Sequence, residues 1–519
     1  MMHETGKSDP AIVAVKSANE AGQTAKELME PRAGAKGNVL QQSTHQTQSW
    51  VSVTQALERI RQIARQRKKE KFTALMHHIS LELLEAEFFA LKGNAAAGVD
   101  GLTGSDYEKE LEANLRALHS RVHLGSYRPL PSRRVYIPKP DGRQRPIAVA
   151  GLEDKIVQRV TATILNAIYE EEFLGFSYGF RPGRSAHDAM DALVVGMESR
   201  KVNFVVDADI RSFFDTVDQK WLIRFVEHRI GDKRIIGLIQ KWLKAGVLEE
   251  GQVRVSQIGT AQGAVISPLL ANIYLHYVLD LWAQRWRRRD ATGEMIIVRY
   301  ADDFIVGFEN EDDAHRFLDM MRDRLQEFGL SLHPEKTRLI EFGRFAAQNR
   351  KRRGLGKPET FDFLGMTFIC SKTRRGKYQV KRKSRRDRLR AKLKEIKQTL
   401  RRNMHRSIPE QGRWLGRVVT GYFNYHAVPT NMSSLSTFLY HVTDLWKKTL
   451  RRRSQKDQTI WTRIRKLASE FLPKPRILHP WPNQRFAVTH PRWEPYALIG
   501  HVRFCAGAPS NGRPYRDSQ

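Results

Sequence analysis

The chain has 519 residues, with 88 Lys and Arg against 56 Asp and Glu, a formal charge of +32. The length allows several domains with ample core, and an excess of cations this large points to a polyanionic partner, because neutralising phosphates releases their counterions. Only two cysteines occur, Cys370 and Cys505, which excludes a disulfide framework and a cysteine-rich zinc site and suits a reducing cytosol. No apolar run reaches the roughly 20 residues of a membrane span, and the short run at 11–15 cannot serve as a signal-peptide core. A Walker-type phosphate loop and a His-Glu-x-x-His pattern are both missing, which leaves a nucleotide-driven motor and a zinc hydrolase without support.

Residues 1–50 are rich in Gly, Ala, Ser, Gln, Thr and Lys without periodic apolar positions, and read as a disordered or loosely attached extension. Helical spacing then sets in over 51–91. Leu57, Ile60 and Ile63 share one side, and Arg59, Arg61, Arg65, Arg67, Lys68 and Lys69 crowd the rest as solvated surface or phosphate contacts. Residues 133–149 predict a hairpin closed by Pro140-Asp141-Gly142. Lys139 and Arg145 flank that turn, so both can point at one triphosphate; ordinary edge-strand cations are the plain alternative. Ile156, Val160, Ile164 and Ile168 mark an amphipathic helix. Gly179-Phe180-Arg181-Pro182-Gly183 leads into another, with Ser185 as N-cap and Asp188 completing a capping box. Arg181 either approaches template or nucleotide or pairs with a local carboxylate.

Residues 204–215 are a β-rich run ending in carboxylates, and Asp209 has an aromatic, Phe214, five residues on. Asp207 shares the face of Asp209 by the two-residue period of a strand but lacks an aromatic at that offset. Phe214 is read as packing under an incoming sugar, where its bulk disfavours a ribose 2′-hydroxyl, or as a core aromatic beside Phe213. Gly259 and Gly263 let backbone approach a ligand closely, with Gln262 placed to contact a template strand or nascent base pair; a bare loop-to-helix junction is the alternative. Ser267-Pro268 predicts a helix start with Ser267 as N-cap.

Residues 296–308 read as strand, tight turn and returning strand, with Asp302 and Asp303 in the turn. Paired aspartates are common in turns for conformational reasons alone. Joined by an acid from an earlier strand, they are the arrangement of polymerase palms. Nucleotide addition is an in-line displacement at phosphorus that uses two divalent ions about 3.5–4 Å apart, and Mg²⁺ takes oxygen ligands, mainly carboxylates. Asp209 and Asp302 are therefore expected to bridge the ions, with Asp303 as a closer or weaker third ligand.

Further on, 312–328 predicts a helix and 330–337 a loop and strand. Lys336 there is read as protonating or neutralising departing pyrophosphate, or as a surface lysine. Residues 361–368 predict a β-element suited to supporting a primer strand. Residues 374–406 hold 16 Lys and Arg against two acids. Leu389, Leu393, Ile396 and Leu400 keep a helical stripe within that stretch, which predicts a basic amphipathic helix with Arg382, Lys383, Arg385 and Arg386 tracking RNA phosphates. Residues 414–446 continue helical, and Tyr422, Phe423, Tyr425 and Tyr440 are either bundle core or base-stacking surfaces. After Lys474 the chain reads as an irregular tail rich in Pro, Trp and Arg.

In order, Gly98-Val99-Asp100-Gly101, Ile137-Pro138-Lys139 with Arg145-Pro146, the 179–183 block, Asp209 with Phe214-Asp215, Gln262-Gly263, Tyr300-Ala301-Asp302-Asp303, His333-Pro334-Glu335-Lys336-Thr337 and Phe363-Leu364-Gly365 resemble the motifs of bacterial group II intron reverse transcriptase/maturases. The resemblance implies an α+β fold, a right-hand polymerase whose fingers and palm occupy 51–370. A helical thumb, or X domain, follows at 371–455 and a basic irregular tail at 456–519 that contacts DNA. It implies an RNA-directed DNA polymerase using Mg²⁺ at Asp209, Asp302 and Asp303, with Lys139 and Arg145 on the triphosphate and Phe214 and Gln262 lining the nucleotide pocket. The implied partners are intron RNA, a DNA target and primer, and deoxynucleoside triphosphates, in the bacterial cytoplasm and at the nucleoid; no membrane is implied. Many such proteins end in an endonuclease with paired cysteines and histidines, which Cys505 alone cannot supply, so no second-strand cleavage is expected. The alternatives are a splicing cofactor that only binds RNA and a reverse transcriptase recruited to host defence. The intact acids argue against a pure binder, since clustered carboxylates repel a polyanion unless metals neutralise them.

Overall fold

A computed structural model describes residues 40–91, 95–138, 144–249, 251–256, 258–453 and 460–489, with side chains from 53 to 487. Lys139 and the Pro140-Asp141-Gly142 turn lie outside the described residues. The strands are β1 (Ser132–Pro138), β2 (Gln144–Val149), β3 (Phe204–Asp209), β4 (Val247–Glu249), β5 (Gln252–Arg254), β6 (Met295–Tyr300), β7 (Asp303–Phe308), β8 (Arg338–Glu341), β9 (Thr360–Phe363), β10 (Met366–Lys372) and β11 (Tyr378–Ser384). They form three sheets ordered β2-β1-β4-β5, β6-β7-β3-β8 and β11-β10-β9, set among helices. The class is α+β, as expected. No described helix is long and apolar enough to cross a membrane.

The β6-β7-β3-β8 sheet is antiparallel throughout, and its side chains divide between two cores by the alternation of a strand. Val206, Ala208, Phe304 and Val306 enter one core with Val157, Ile164 and Tyr274. Val205, Ile296, Val298 and Ile305 enter another with the helix Ala186–Ser199 and the aromatics Phe361, Phe363 and Phe368 of the third sheet. A sheet covered on both faces explains why β3, β6 and β7 read as near-continuous apolar runs. Polar residues stand out against that background, and they mark the site.

Local signals place most helices. Leu152–Tyr169 buries Ile156, Val160, Ile164 and Ile168 as the four-residue recurrence requires, and Ser185 with Asp188 forms the predicted capping box of Ala186–Ser199. Ser267 is the first residue of Ser267–Leu275 rather than its cap; its hydroxyl bonds the Ala261 carbonyl instead. The helix Leu40–Gln66 takes in residues 40–50 of the expected loose extension, because from Leu40 onward no Gly or Pro interrupts it.

The 374–406 stretch divides in two. Its first part is β11, paired with β10, and only Arg386–Arg402 is helix, so the sheet region extends past the expected boundary at 370. Alternation along β11 turns Val380, Arg382 and Ser384 inward and leaves Lys383 exposed. Arg382 is 1% exposed and ion-paired with Asp191. Arg385 is buried against Asp362 and Asp387. Neither guanidinium is available to RNA, which corrects that expectation; Lys383 and Arg386 are exposed and keep it open.

A third core is helical. Leu415, Val419, Phe438, Trp446 and Ile464 meet where Ile408–His426, Met432–Arg451 and Trp461–Phe471 pack together. Phe423 and Tyr422 are bundle core, whereas Tyr440 is exposed and stacks on Trp461. The segment beyond 456 is therefore not wholly irregular. Ile464 and Phe471 keep helical spacing, and Pro482–Thr489 lies on the second core through Phe486, with Arg485 reaching Asp191 at 3.3 Å.

That C-terminal segment carries a pH dependence. His479 stacks on His187 with ring centroids 4.0 Å apart, and His426 lies nearby on Ile408–His426. Burial holds His187 down to about 4, with His479 adding to the shift, and holds His426 down to about 3. The unfolded chain takes up protons near pH 6.5 that the folded state refuses. Stability is accordingly full above about pH 6.5 and is lost as pH falls toward 4. His187→Gln with His426→Gln should flatten the melting temperature over that window, and an unchanged slope would refute the assignment.

Candidate active site

The register of β3 on β7 sets Asp209 directly opposite Asp303, and β6 pairs Tyr300 with the same Asp303. Two residues, Ala301 and Asp302, make the turn. Opposed residues of an antiparallel pair have Cβ atoms roughly 4.5–5.5 Å apart on one face, so acids 94 residues apart in sequence are neighbours. Asp209 and Asp303 are buried and Asp302 is half-buried. Burial first, then the charges of Asp209 and Asp303, push Asp302 up to about 7. The loop before β8 is tied to the end of β3, His333 N–H donating to the Asp209 carbonyl at 2.8 Å. It delivers the Lys336 ammonium to Asp209 Oδ2 at 2.9 Å. Lys336 is thus no stray surface lysine. It supplies the positive charge that three crowded carboxylates need.

The turn is held from beneath. Ala301 adopts φ +57°, a left-handed conformation unfavourable for a residue with a Cβ. Its carbonyl accepts from Arg299 Nη1 at 2.9 Å, and Arg299 is fully buried. The same guanidinium is clamped by both Asp280 oxygens at 2.7 and 2.6 Å, by Asn272 Oδ1 at 3.0 Å and by Ser177 Oγ at 2.7 Å. Asp280 closes a π-helical turn, His276–Asp280, a local irregularity common near functional sites. Asn272 also donates to the Gly179 carbonyl at 2.7 Å, and a Cβ on Gly179 would meet Ala301 N at 2.3 Å. The glycine of the 179–183 block is therefore a seat for the acidic turn. Gly179→Ala is expected to cost about 1–3 kcal/mol as an overpacking change, measured by chemical denaturation; a neutral result would show that the turn is not seated there.

Sequence reading missed Arg299, Asp280, Asn272 and Ser177. The signal was present in part, since an arginine inside Ile296-Ile297-Val298-Arg299-Tyr300 has no place in a two-sided buried strand unless it is paired. Its partners were not legible.

The remaining expected residues fall into two groups. Arg145 on β2 faces Ile137 of β1 and is partly exposed. The Gln262 carbonyl accepts from Ala148 N at 2.6 Å, and Gly263, at φ +110°, presses on β2 where a Cβ would meet the Ala148 carbonyl at 2.7 Å. Thr260 N donates to the Phe214 carbonyl at 2.7 Å. The 259–263 loop thus bridges the segment after β3, through the Phe214 carbonyl, to the strand that bears Arg145. Phe214 itself is a core aromatic, edge-on to Phe213 and 4% exposed. Arg181 is buried on Glu170 and on the Leu174 and Ser177 carbonyls, each at 2.8 Å. Those acceptors occupy its donors, so the expected nucleic-acid contact is withdrawn. Asp207, also buried, meets Arg338 at 3.5 Å.

Among the described residues, no group of three or more His, Cys, Asp or Glu side chains is arranged to hold a metal ion. The acids nevertheless fit a divalent cation. They are hard oxygen donors, and Asp209 Oδ1 is buried without a hydrogen-bond partner.

Residues 137–368 match the family Reverse transcriptase (RNA-dependent DNA polymerase), and the three acids fall inside that span. The chain is 32% identical to Protein YkfC of Escherichia coli over 324 residues, 56% of this chain and 80% of that protein. It is 35% identical to the group II intron-encoded protein LtrA of Lactococcus lactis over 231 residues, 43% of this chain and 38% of that protein. It is 27% identical to the putative COX1/OXI3 intron 1 protein of Saccharomyces cerevisiae over 403 residues, 63% of this chain and 46% of that one. The chain thus spans less than half the length of these two intron proteins. Strand register, acidic turn and sequence similarity converge: this chain belongs to the reverse transcriptases, the RNA-dependent DNA polymerases.

Proposed function

We propose that the chain copies intron RNA into DNA with Mg²⁺ held by Asp209, Asp302 and Asp303, and that the same RNA-binding surface assists splicing. The observation that carries this reading is the Asp209–Asp303 register with Asp302 in the adjoining turn, inside the span that matches the family. Divalent ions bound there would supply charge stabilisation to the attacking and leaving oxygens. The chain's own residues do the rest. Arg299 fixes the turn that carries Asp302 and leads into Asp303. Lys336 leaves Asp209 for the departing phosphates, where its proton and charge are useful. Arg145 neutralises the triphosphate, and the 259–263 loop positions Gln262 beside the nascent pair. In right-hand terms, the sheets and helices up to β11 are fingers and palm, and the helical core after Arg386 is the thumb.

RNA tracking falls to the helix Arg386–Arg402. It buries Ile396 and Leu400 and exposes Arg386, Arg390, Lys394 and Lys397, three to four residues apart and so on one face. Replacing Arg390, Lys394 and Lys397 by Gln should lower the slope of log affinity against log salt by about 2 to 3. An unchanged slope would remove this helix from the interface. The test of the reading as a whole is Mg²⁺-dependent primer extension on an RNA template by the purified full chain; absence of incorporation would overturn it.

A further inference from the structure

The helical region contains a cavity of about 460 Å³ between the end of Arg386–Arg402 and the first turns of Ile408–His426. None of its lining residues belongs to the acidic site. Its volume lies within the roughly 300–1,000 Å³ of small-molecule sites. Leu400 and the half-buried Trp414 give it an apolar, partly planar wall, and Arg406, Arg413 and Arg417, all exposed, surround that wall with guanidinium groups.

Thr399 and Asn403 line it too, Asn403 donating to the Thr399 carbonyl at 3.1 Å, and Glu410 and Gln411 are committed elsewhere. Glu410 accepts from Ser407 N at 3.0 Å and from its hydroxyl at 2.9 Å, completing the helix cap. Gln411 donates to the Asn403 and Met404 carbonyls at 2.8 and 3.0 Å and accepts from Trp446 Nε1 at 3.1 Å. The loop between the two helices is thereby braced, and the cavity is a built feature of the bundle. Beside the Thr399 hydroxyl, what this offers a ligand is one aromatic face and three forked cations. Guanidinium forks match phosphate oxygens, and a tryptophan face matches a nucleobase. A bare anion would leave the Trp414–Leu400 wall unused, and an apolar ligand would leave the arginines unused.

We propose that this cavity binds a single nucleotide, its base against Trp414 and Leu400 and its phosphate among Arg406, Arg413 and Arg417. The nucleotide is either free or one unpaired residue of a bound RNA strand. The inference does not rest on the polymerase reading, because it uses none of the acids.

The test is ¹⁹F NMR of the full chain labelled with 5-fluorotryptophan, the Trp414 resonance being assigned with Trp414→Phe. Adenosine 5′-monophosphate, inorganic phosphate and a short single-stranded oligoribonucleotide are titrated separately. A saturable shift with the monophosphate supports the proposal with a free nucleotide, and a shift with the oligoribonucleotide alone supports it with a strand-borne one. Either response should weaken about tenfold in Arg413→Gln/Arg417→Gln, as for two lost phosphate contacts. Equal shifts with inorganic phosphate and the monophosphate would mean an anion site without base recognition and would overturn it. So would no shift with any probe, a result the wild-type chain delivers even if the arginine variant fails to fold.

Discussion

Asp302→Asn together with Asp303→Asn is expected to lower RNA-templated primer extension by at least about 10³-fold, roughly 4 kcal/mol of transition-state stabilisation. The exchange keeps side-chain volume and removes two of the three clustered anionic donors, Asp303 opposite Asp209 and Asp302 in the adjoining turn. It also removes the burial penalty first and the carboxylate repulsion second that together raise Asp302 to about 7, so the variant should melt no lower than the wild type in the presence of chelator. That pairing of outcomes separates chemistry from folding. Extension at wild-type level by the double variant would abolish the assignment of these acids. Retained splicing assistance beside lost extension would show two separable activities.

Arg299→Met should be the most damaging single change outside the acids. Arg299 and Asp280 are both fully buried and mutually paired, and removing one partner of a buried pair typically costs about 3–5 kcal/mol because the other charge is left uncompensated. The Ala301 carbonyl would also lose its donor, freeing a turn already in an unfavourable backbone conformation. Replacing both partners, Arg299→Met with Asp280→Leu, should recover most of the stability, since apolar pairs often substitute for buried ion pairs without loss. It should not recover extension, because the turn still lacks its clamp. Recovery of both would reduce Arg299 to a packing role.

Much of the site was legible in local pattern. A short link between apolar runs, with Asp302 in the link and Asp303 directly after it, specifies a hairpin, and the hairpin sets which residue faces which. Ser185 and Asp188 announced a helix start that hydrogen bonding alone can explain. The strand β11 was not legible in the same way. Its cations made it read as the front of the following helix, whereas the period-two burial of Val380 and Arg382 reflects pairing with β10, which no helical or charge rule foresees.

Composition and periodicity were enough to indicate a polyanionic partner and most strands and helices, because strand, turn and helix patterns are short-range properties of the chain, while the ordered motifs around Asp209, Asp302 and Asp303 carried the resemblance to a polymerase family. Which arginines meet solvent was decided by the tertiary structure. Arg181 turns to Glu170, Arg382 to Asp191 and Arg299 to Asp280. A charge leaves water only when a partner and hydrogen bonds await it inside, and in Arg382 that partner stands 191 residues away, beyond the reach of any local signal.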